Sequence, residues 1–484
     1  MTPKEIRKRR TKIVATLGPA SSTAEVIGDL LDSGVNVFRL NFSHGSHEQH
    51  ANNIAIVRAQ AEQRNRHIGI LGDLQGPKIR IGDLQTPEKL LIEDQGLTLT
   101  TDINSADSEN DRVHVVYEPL PTSVNSGDTL LLDDGLIRLQ VSSVSGVDVV
   151  CKVVQAGVLK PRKGINRLGG GLSADAITEK DLEDLEVIIA HELEYVAVSF
   201  PCCADDLLPV KNALKKHNSD AKIIAKIERA EAVETEEQLK ELINAADAVM
   251  VARGDLGVEI GDAQLIGIQK RIIRLSRQAN KPVITATQMM ESMITQPVPT
   301  RAEVFDVANA VLDGTDAVML SGETAAGKFP SKVVQAMAET AQGAELHPMM
   351  SKSSYRVERV FDSIDESIAM AAMYAANHLN DISAIICLTE SGTTPLLASR
   401  LSSKLPIYGV SRNRSTCRRM ALYRGVIPMY FDVTKANGDI WSAAMDLIAE
   451  RGELMPGQRV AMTCGDLQGE GGSTNTLKIL QYRK

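Results

Sequence analysis

Residues 225–233 read AKIERAEAV and residues 248–260 read AVMVARGDLGVEI, with a helical segment between them. The two apolar runs, Lys222–Ile227 and Ala248–Ala252, have the length and β-branched content of buried parallel strands. Each ends in charge: Lys226 and Glu228 close the first, and Arg253 and Asp255 follow the second. A buried strand uses its middle for packing and presents chemistry at its end. Glu228 and Asp255 are hard oxygen ligands on neighbouring strand ends, which suits a Mg2+ ion that keeps water and substrate oxygens. Lys226 places a cation beside that metal. The glycines of Arg253-Gly254-Asp255-Leu256-Gly257 let backbone N–H groups approach an anion, as glycine-rich phosphate loops do. Surface ion pairing explains any one of these residues equally well. Four of them on adjacent strands favour a site.

Outward from this stretch, short apolar runs recur, most of them followed by a helical pattern. They are Lys12–Leu17, Val35–Leu40, Ile68–Leu71, Tyr195–Phe200, Lys222–Ile227, Ala248–Ala252, Pro282–Thr287 and Ala317–Leu320. Helical segments include Thr23–Ser33, His47–Gln63, Glu179–His191, Asp205–His217 and Leu265–Gln278. Eight βα units predict an α/β fold built on a (β/α)8 TIM barrel, with its site at the C-terminal strand ends. An open doubly wound sheet is the second choice. Between the third and fourth strands, GLTLTTD, DRVHVVYE, SGDTLLLDDG, LIRLQVSSVSG and VDVVCKVVQAG alternate like strands. They predict an inserted all-β domain that acts as a lid, returning through Asn166-Arg167-Leu168-Gly169-Gly170-Gly171. After Ala344, Ser363–Leu379, Ala384–Thr389, Ile407–Val410 and Arg459–Thr463 predict an open α/β domain. The expected division is barrel 1–76, lid 77–172, barrel 173–345 and C-terminal domain 346–484.

Composition excludes several classes. A net charge of −9 argues against a broad nucleic-acid face, and 3% aromatic residues give no stacking platform for bases. No apolar run approaches the roughly 20 residues of a membrane span. The basic start MTPKEIRKRR runs directly into a strand, unlike a secretory signal. The six cysteines are scattered with no CxxC pair, so reduced thiols in a cytoplasmic protein are expected.

Other strand ends add polar groups. Arg39, Asn41 and Ser43 alternate, so they share one side of an extended segment. Asp73 ends the third strand, and a capped turn is its plainer reading. Thr287 and Ser321 follow the seventh and eighth. His44, His47 and His50 read as solvated helix-start histidines rather than a metal cluster, and the Arg301–Glu303 pair as structural. Two functions compete for this mouth. One is a metal-dependent enzyme moving a phosphoryl group by positioning and charge neutralisation. The other is a silent module that senses a phosphorylated metabolite. A lysine beside the metal and a large lid favour the enzyme.

KIVATLGPAS, FRLNFSHG, GDLQGPKIR, AKIERAEAV, MVARGDLGVEI, ITATQMMESMI, PTRAEVFDVANAVLDGTDAVMLSGETAAGKFP and GSTNT, in unbroken order from about Thr11, together resemble the pyruvate kinase family. The resemblance implies glycolytic phosphoryl transfer from phosphoenolpyruvate to ADP, giving pyruvate and ATP, by a cytoplasmic homotetramer with a C-terminal effector domain. It implies that Glu228 and Asp255 hold the divalent metal, Mg2+ or Mn2+. Lys226 then neutralises the phosphoryl group and the enolate, and Arg39 with the Gly254-Asp255 backbone holds the phosphate. Thr287 becomes the candidate for the proton relay, with Ser321 as a second. Arg80, His44, Lys163 and the turn through Pro19 would hold the nucleotide and its own metal.

Asn41, Ser43, Asp73 and the Leu74 carbonyl match the family's monovalent-cation site. Potassium-requiring members usually carry glutamate where Lys78 stands, so Lys78 is expected to supply the missing charge and make K+ unnecessary. The turn Thr389-Glu390-Ser391-Gly392-Thr393-Thr394 resembles the family's effector-phosphate turn, with Gly469–Ser473 closing over it. Its ligand would be a phosphorylated sugar or a nucleoside monophosphate. The arginines at 412, 414, 418 and 419 read mostly as solvated charge. Another Mg2+-dependent, enolate-forming barrel enzyme remains the alternative within the enzyme class.

Overall fold

The computed structural model describes residues 9–172, 174–350, 359–432, 439–465 and 474–483. Eight parallel strands close into a barrel: Lys12–Thr16, Val37–Asn41, Gly69–Asp73, Tyr195–Val198, Lys222–Ile227, Ala248–Ala252, Val283–Ala286 and Ala317–Leu320. Each pairs with its neighbours in chain order, and the eighth returns to the first through Lys12 opposite Ala317. Helices begin where short polar side chains cap free N–H groups: Thr23, Ser46, Thr178, Thr235 and Thr300 each accept from a first-turn amide.

Several expected boundaries shift for local reasons. The fourth and seventh strands stop early because Phe200 and Thr287 take left-handed φ values of 59° and 64°. Pro209 interrupts the expected 205–217 helix, leaving a 3-10 turn, Ala204–Leu207, and then Leu208–Lys216. The expected glycine-rich loop after the sixth strand is a helix, Arg253–Ile260, which Gly261 ends at φ 83° before Asp262–Gln278 begins.

Between the third and fourth barrel strands stands a separate sheet, ordered Ile165–Arg167, Thr129–Leu132, Ile137–Ser145, Asp148–Gln155, Gly96–Thr100 and Arg112–His114. Leu97, Leu130, Leu139, Val149 and Val153 form its own core. The C-terminal sheet is ordered Val426–Tyr430, Ile407–Ser411, Ile382–Leu388, Arg459–Gly465 and Thr474–Gln481. The first four strands are parallel and the last is an antiparallel edge. Both outer strands, Val426–Tyr430 and Thr474–Gln481, add to those expected from the apolar pattern. Val426–Tyr430 carries Pro428, which an edge tolerates.

This C-terminal domain seats against the N-terminal ends of the barrel strands, the face away from the expected site. Val14, Leu71, Tyr195, Met250, Ile284 and Met319 share one apolar cluster with Ile385, Cys387, Met420 and Leu422. Arg400 pairs with Asp316 in full burial. Arg418 meets Glu194 at 2.6 Å, and the Arg419 guanidinium donates to the Asp220 carbonyl at 3.1 Å. Arg418 and Arg419 are therefore interdomain contacts, contrary to the solvated reading. Arg412 pairs with Glu390, and Arg414 lies over the Tyr430 ring. The described residues contain no helix long and apolar enough to cross a membrane. All six cysteines are free thiols.

Lys12 is buried at this junction, and its ammonium donates to the Val426 carbonyl at 2.6 Å. Burial, with Arg9 and Arg66 adding to it, pushes its pKa down to about 7. In the unfolded chain a lysine titrates near 10.4. Between about pH 7 and pH 10 the unfolded state therefore binds the extra proton, and the folding penalty that is full below pH 7 is relieved as pH rises. The stability of the wild type relative to Lys12→Met is expected to improve steadily across that window. Urea denaturation of both proteins checks this, and a pH-independent difference would contradict it.

Candidate active site

Closure of the barrel brings the ends of the second, third, fourth and fifth strands into one polar mouth. Asp73 is fully buried there. One carboxylate oxygen accepts from Arg39 Nε at 2.6 Å, and the other lies 3.3 Å from Lys226 Nζ. Burial alone would raise the Asp73 pKa, but Arg39 and Lys226 outweigh it and hold it below the usual carboxylate range. Lys226 also reaches Glu228 at 2.9 Å and donates to Ser199 Oγ at 2.8 Å. The Ser199 hydroxyl donates in turn to the Leu74 carbonyl at 2.7 Å. Burial opposes the Lys226 cation, yet Asp73 and Glu228 prevail and its pKa rises to about 12. The ammonium is thus charged throughout the physiological range.

Glu228 is nearly buried, and the Phe200 N–H donates to it at 2.8 Å. Burial pushes its carboxyl up to about 7; Lys226 opposes the push and Asp255 adds to it. Two carboxylates close enough to disturb one another, in a site rich in oxygen donors, fit a hard divalent cation. Among the described residues no group of three His, Cys, Asp or Glu side chains converges. A two-carboxylate set leaves coordination open to water and substrate, as Mg2+ prefers.

Gly254 lies in the first turn of the helix Arg253–Ile260, so its N–H belongs to the positive end of a helix. That N–H donates to Thr287 Oγ1 at 2.8 Å, and Thr287 Oγ1 donates to the Ala286 carbonyl at 2.7 Å. Arg253 turns away from the mouth. It is buried, pairs with Asp306 at 2.7 Å, and donates to the Thr287 carbonyl. It therefore braces the strained backbone of Thr287 and Gln288, at φ 64° and 53°, instead of meeting a ligand.

Other expected residues are distributed as follows. Asn41 Oδ1 accepts from the Ser43 N–H at 3.2 Å. Lys78 is 3.5 Å from Asp255 and 3.9 Å from Asp134. Its charge therefore lies against the metal-type carboxylate, while Asp73 is taken by Arg39 and Lys226. Ser321 caps a short helix, and its N–H donates to Glu323 at 2.7 Å. Arg80 donates to the Arg162 carbonyl at 2.9 Å, and Lys163 pairs with Asp133 at 2.7 Å. Pro19 is exposed beside Gly18, where an added Cβ would stand 2.6 Å from the Ala325 carbonyl. His44 is exposed. His47 goes to Asp184 at 2.7 Å, and His50, buried rather than solvated, donates from Nε2 to the His44 carbonyl at 2.9 Å, so the three do not converge. Glu303 completes a capping box with Thr300 and also accepts from Ser292.

In the C-terminal turn, Thr389 Oγ1 accepts from the Gly392 N–H at 3.0 Å, and Ser391 and Thr393 hydroxyls are 2.8 Å apart. Thr394 is buried against the Thr474 hydroxyl at 2.6 Å and so faces the sheet. The segment Gly469–Ser473 lies outside the described residues. Sequence reading missed Ser199, the Phe200 N–H and Glu323. Ser199 and Phe200 directly follow the fourth strand, which was the one available signal.

Fold and site together define a barrel enzyme whose mouth sets buried cations beside paired carboxylates. Two family models match the chain: "Pyruvate kinase, barrel domain" over residues 8–334 and "Pyruvate kinase, alpha/beta domain" over residues 366–480. A pyruvate kinase of Buchnera aphidicola subsp. Schizaphis graminum is 51% identical over 98% of this chain and 99% of its own length. Pyruvate kinase II of Salmonella typhimurium is also 51% identical, with the same coverage. A crystal structure of a pyruvate kinase from Cryptosporidium parvum superposes with a TM-score of 0.91 at 33% identity, covering 99% of this chain and 97% of that one. The chain belongs to the pyruvate kinase family and is a phosphotransferase of glycolysis. The silent-sensor reading and the other enolate-forming enzymes are set aside.

If Lys226 meets the reacting group, Lys226→Met is expected to lower kcat by about 10²–10³-fold with an intact circular dichroism spectrum. Wild-type turnover in that variant would remove Lys226 from the chemistry.

Proposed function

We propose that the mouth binds phosphoenolpyruvate and ADP and moves the phosphoryl group between them. The observation that carries this is the placement of Arg39 and Lys226 on the two oxygens of one buried carboxylate, beside Glu228. In the reaction an ADP oxygen bonds to phosphorus as the bond to the enol oxygen breaks. The electron pair stays on the enolate, whose terminal carbon then takes a proton to give pyruvate. Arg39 and the Gly254-Asp255 backbone hold phosphate oxygens, the Gly254 N–H exchanging Thr287 Oγ1 for substrate. Lys226 opposes the charge that moves from phosphoryl group to enolate, and it does so as a fixed cation that needs no reorganisation.

Glu228 and Asp255 hold Mg2+, with Mn2+ as a substitute; when bound, this ion supplies Lewis-acid neutralisation of the substrate oxygens. The Thr287 hydroxyl, already in a hydrogen-bonded chain from Gly254 to Ala286, is the positioned group for proton delivery, with Ser321 as the second candidate. Arg80, His44, Lys163 and the turn at Pro19 line the nucleotide side, so Lys163 exchanges Asp133 for phosphate. Asn41, Ser43, Asp73 and the Leu74 carbonyl form the monovalent-cation-type site, and Lys78, whose ammonium lies against Asp255 rather than Asp73, supplies the missing positive charge from beside that site.

The protein acts in the cytoplasm as a homotetramer. Exposed Phe305 and Ile266 on two barrel helices, and the open edge of Thr474–Gln481, supply apolar and hydrogen-bonding surfaces for contact between copies. The hydroxyls of Thr389, Ser391 and Thr393 about Gly392, with Thr394 behind them, receive an effector phosphate from a sugar phosphate or nucleoside monophosphate.

Pyruvate formation from phosphoenolpyruvate is expected to require ADP and Mg2+ and to proceed in potassium-free buffer. Lys78→Glu is expected to make it depend on K+. Turnover only after K+ is added to the wild type would discard the role of Lys78. Light scattering is expected to give four copies, and Phe305→Asp to shift the mass downward. Sugar phosphates and nucleoside monophosphates are expected to lower the half-saturating phosphoenolpyruvate concentration, and Thr393→Glu to abolish that response. No response to any of them would remove the effector site.

A further inference from the structure

The lid returns to the barrel through Ile165–Arg167 and then Leu168-Gly169-Gly170-Gly171-Leu172. The three glycines have φ values of 89°, 82° and 95°, a conformation that side chains disfavour. A glycine run of this kind suggests a loose hinge, yet this one is pinned at four points. The Gly169 N–H donates to the Glu259 carbonyl at 2.8 Å. The Gly171 N–H donates to the Glu231 carboxylate, and the Leu172 carbonyl accepts from the Arg229 guanidinium. The Asn166 side-chain amide donates to the Glu259 carboxylate at 3.1 Å.

On the barrel side the three charged residues form one cluster. Arg229 lies 3.0 Å from Glu231 and 3.2 Å from Glu259. The second Glu259 oxygen accepts from the Ala230 N–H at 2.8 Å. Arg229 and Glu259 are 6% and 2% exposed, so water cannot substitute for these partners. Their place in the chain gives the cluster its meaning. Arg229 directly follows Glu228. Glu259 is one turn beyond Asp255 on the same helix. The side chains that seat the root of the lid therefore also fix the two backbone segments that carry the paired carboxylates.

We infer that Arg229 and Glu259 are positioning residues that couple the seating of the lid to the spacing of Glu228 and Asp255. This inference rests on Glu228 and Asp255 being the divalent-cation ligands. Neither positioning residue touches reacting atoms. Glu259 acts through the Ala230 N–H and its own helix, and Arg229 through Glu259 and the Leu172 carbonyl. Cation binding at the carboxylates is thereby linked to order at residues 165–172, and the linkage runs equally in both directions.

The test uses the full chain, Mn2+ as the probe, and no turnover. Mn2+ affinity is read by electron paramagnetic resonance, and amide exchange at residues 165–172 is read with and without Mn2+. In the wild type, Mn2+ is expected to slow that exchange. In Glu259→Gln and Arg229→Met, the Kd for Mn2+ is expected to rise about tenfold or more, and exchange at 165–172 no longer responds to Mn2+. Asn166→Ala, which cuts one of the four bonds at the lid root, is expected to raise the Kd for Mn2+ by a smaller factor, about twofold, and to weaken the Mn2+-dependent protection at residues 165–172. A purely structural cluster would lower Tm in all three variants and leave the Mn2+ affinity and the Mn2+-dependent protection as in the wild type; that result overturns the inference. Glu228→Gln separates the two possible failures. If it binds Mn2+ as tightly as the wild type, the cation assignment is wrong and the coupling falls with it. If it loses Mn2+ while Glu259→Gln and Arg229→Met retain wild-type affinity, the coupling alone is wrong.

Discussion

The cationic side of the site depends on one buried carboxylate. Asp73 sits between Arg39 and Lys226 and gives each of them one oxygen. Without it, two like charges would face each other in a pocket with little water to screen them. With it, both cations are held in place by ion pairs at the strand ends. The arrangement exists only in a closed barrel. Arg39, Asp73 and Lys226 come from the second, third and fifth strands, and Ser199 on the segment after the fourth fills the gap between Lys226 and Leu74.

The two ends of the barrel do different work. At the C-terminal end the backbone leaves ordinary strand geometry at Phe200, Thr287 and Gln288, where left-handed residues aim an N–H at Glu228 and a hydroxyl at Gly254. Such conformations persist because surrounding contacts over-determine them, and Arg253 is one of those contacts. At the N-terminal end the strands are closed off by the C-terminal domain through a shared apolar cluster and the buried Arg400–Asp316 pair. Removing one partner of such a pair typically costs about 3–5 kcal/mol, so the pair contributes to holding the two domains together.

The lid is attached with the same economy of parts. Its sheet has a separate core, so it folds against itself. Its root is held by the residues that flank the metal-type carboxylates. Lys78 and Asp134 add a second bridge from the lid side to Asp255. Ion pairs and hydrogen bonds of charged side chains hold the root of the lid on the barrel.

Much of this was legible in the chain itself. The period of the apolar runs specified eight βα units, and Lys222–Ile227, Ala248–Ala252 and Ala317–Leu320 have the expected bounds because packing in a parallel barrel demands short, continuous apolar strands. The identity of Lys226, Glu228, Asp255 and Thr287 as strand-end residues follows from the same period. What the sequence could not fix is direction and partnership. Arg253 and Asp255 are two residues apart, yet one braces a loop and the other opens to the mouth, because a helix begins at Arg253 and sends them to different sides. Asp73 reads from sequence as a turn cap or, by family resemblance, a cation ligand; that Arg39 and Lys226, 34 and 153 positions away in the chain, each take one of its oxygens appears only on barrel closure. Arg418 and Arg419 read as solvated charge until Glu194 and Asp220 met them across a domain junction. Local pattern determines which element a residue belongs to, since that depends on neighbours a few positions away. Only tertiary structure decides what a charged side chain faces, since its partner lies on another strand brought near by barrel closure.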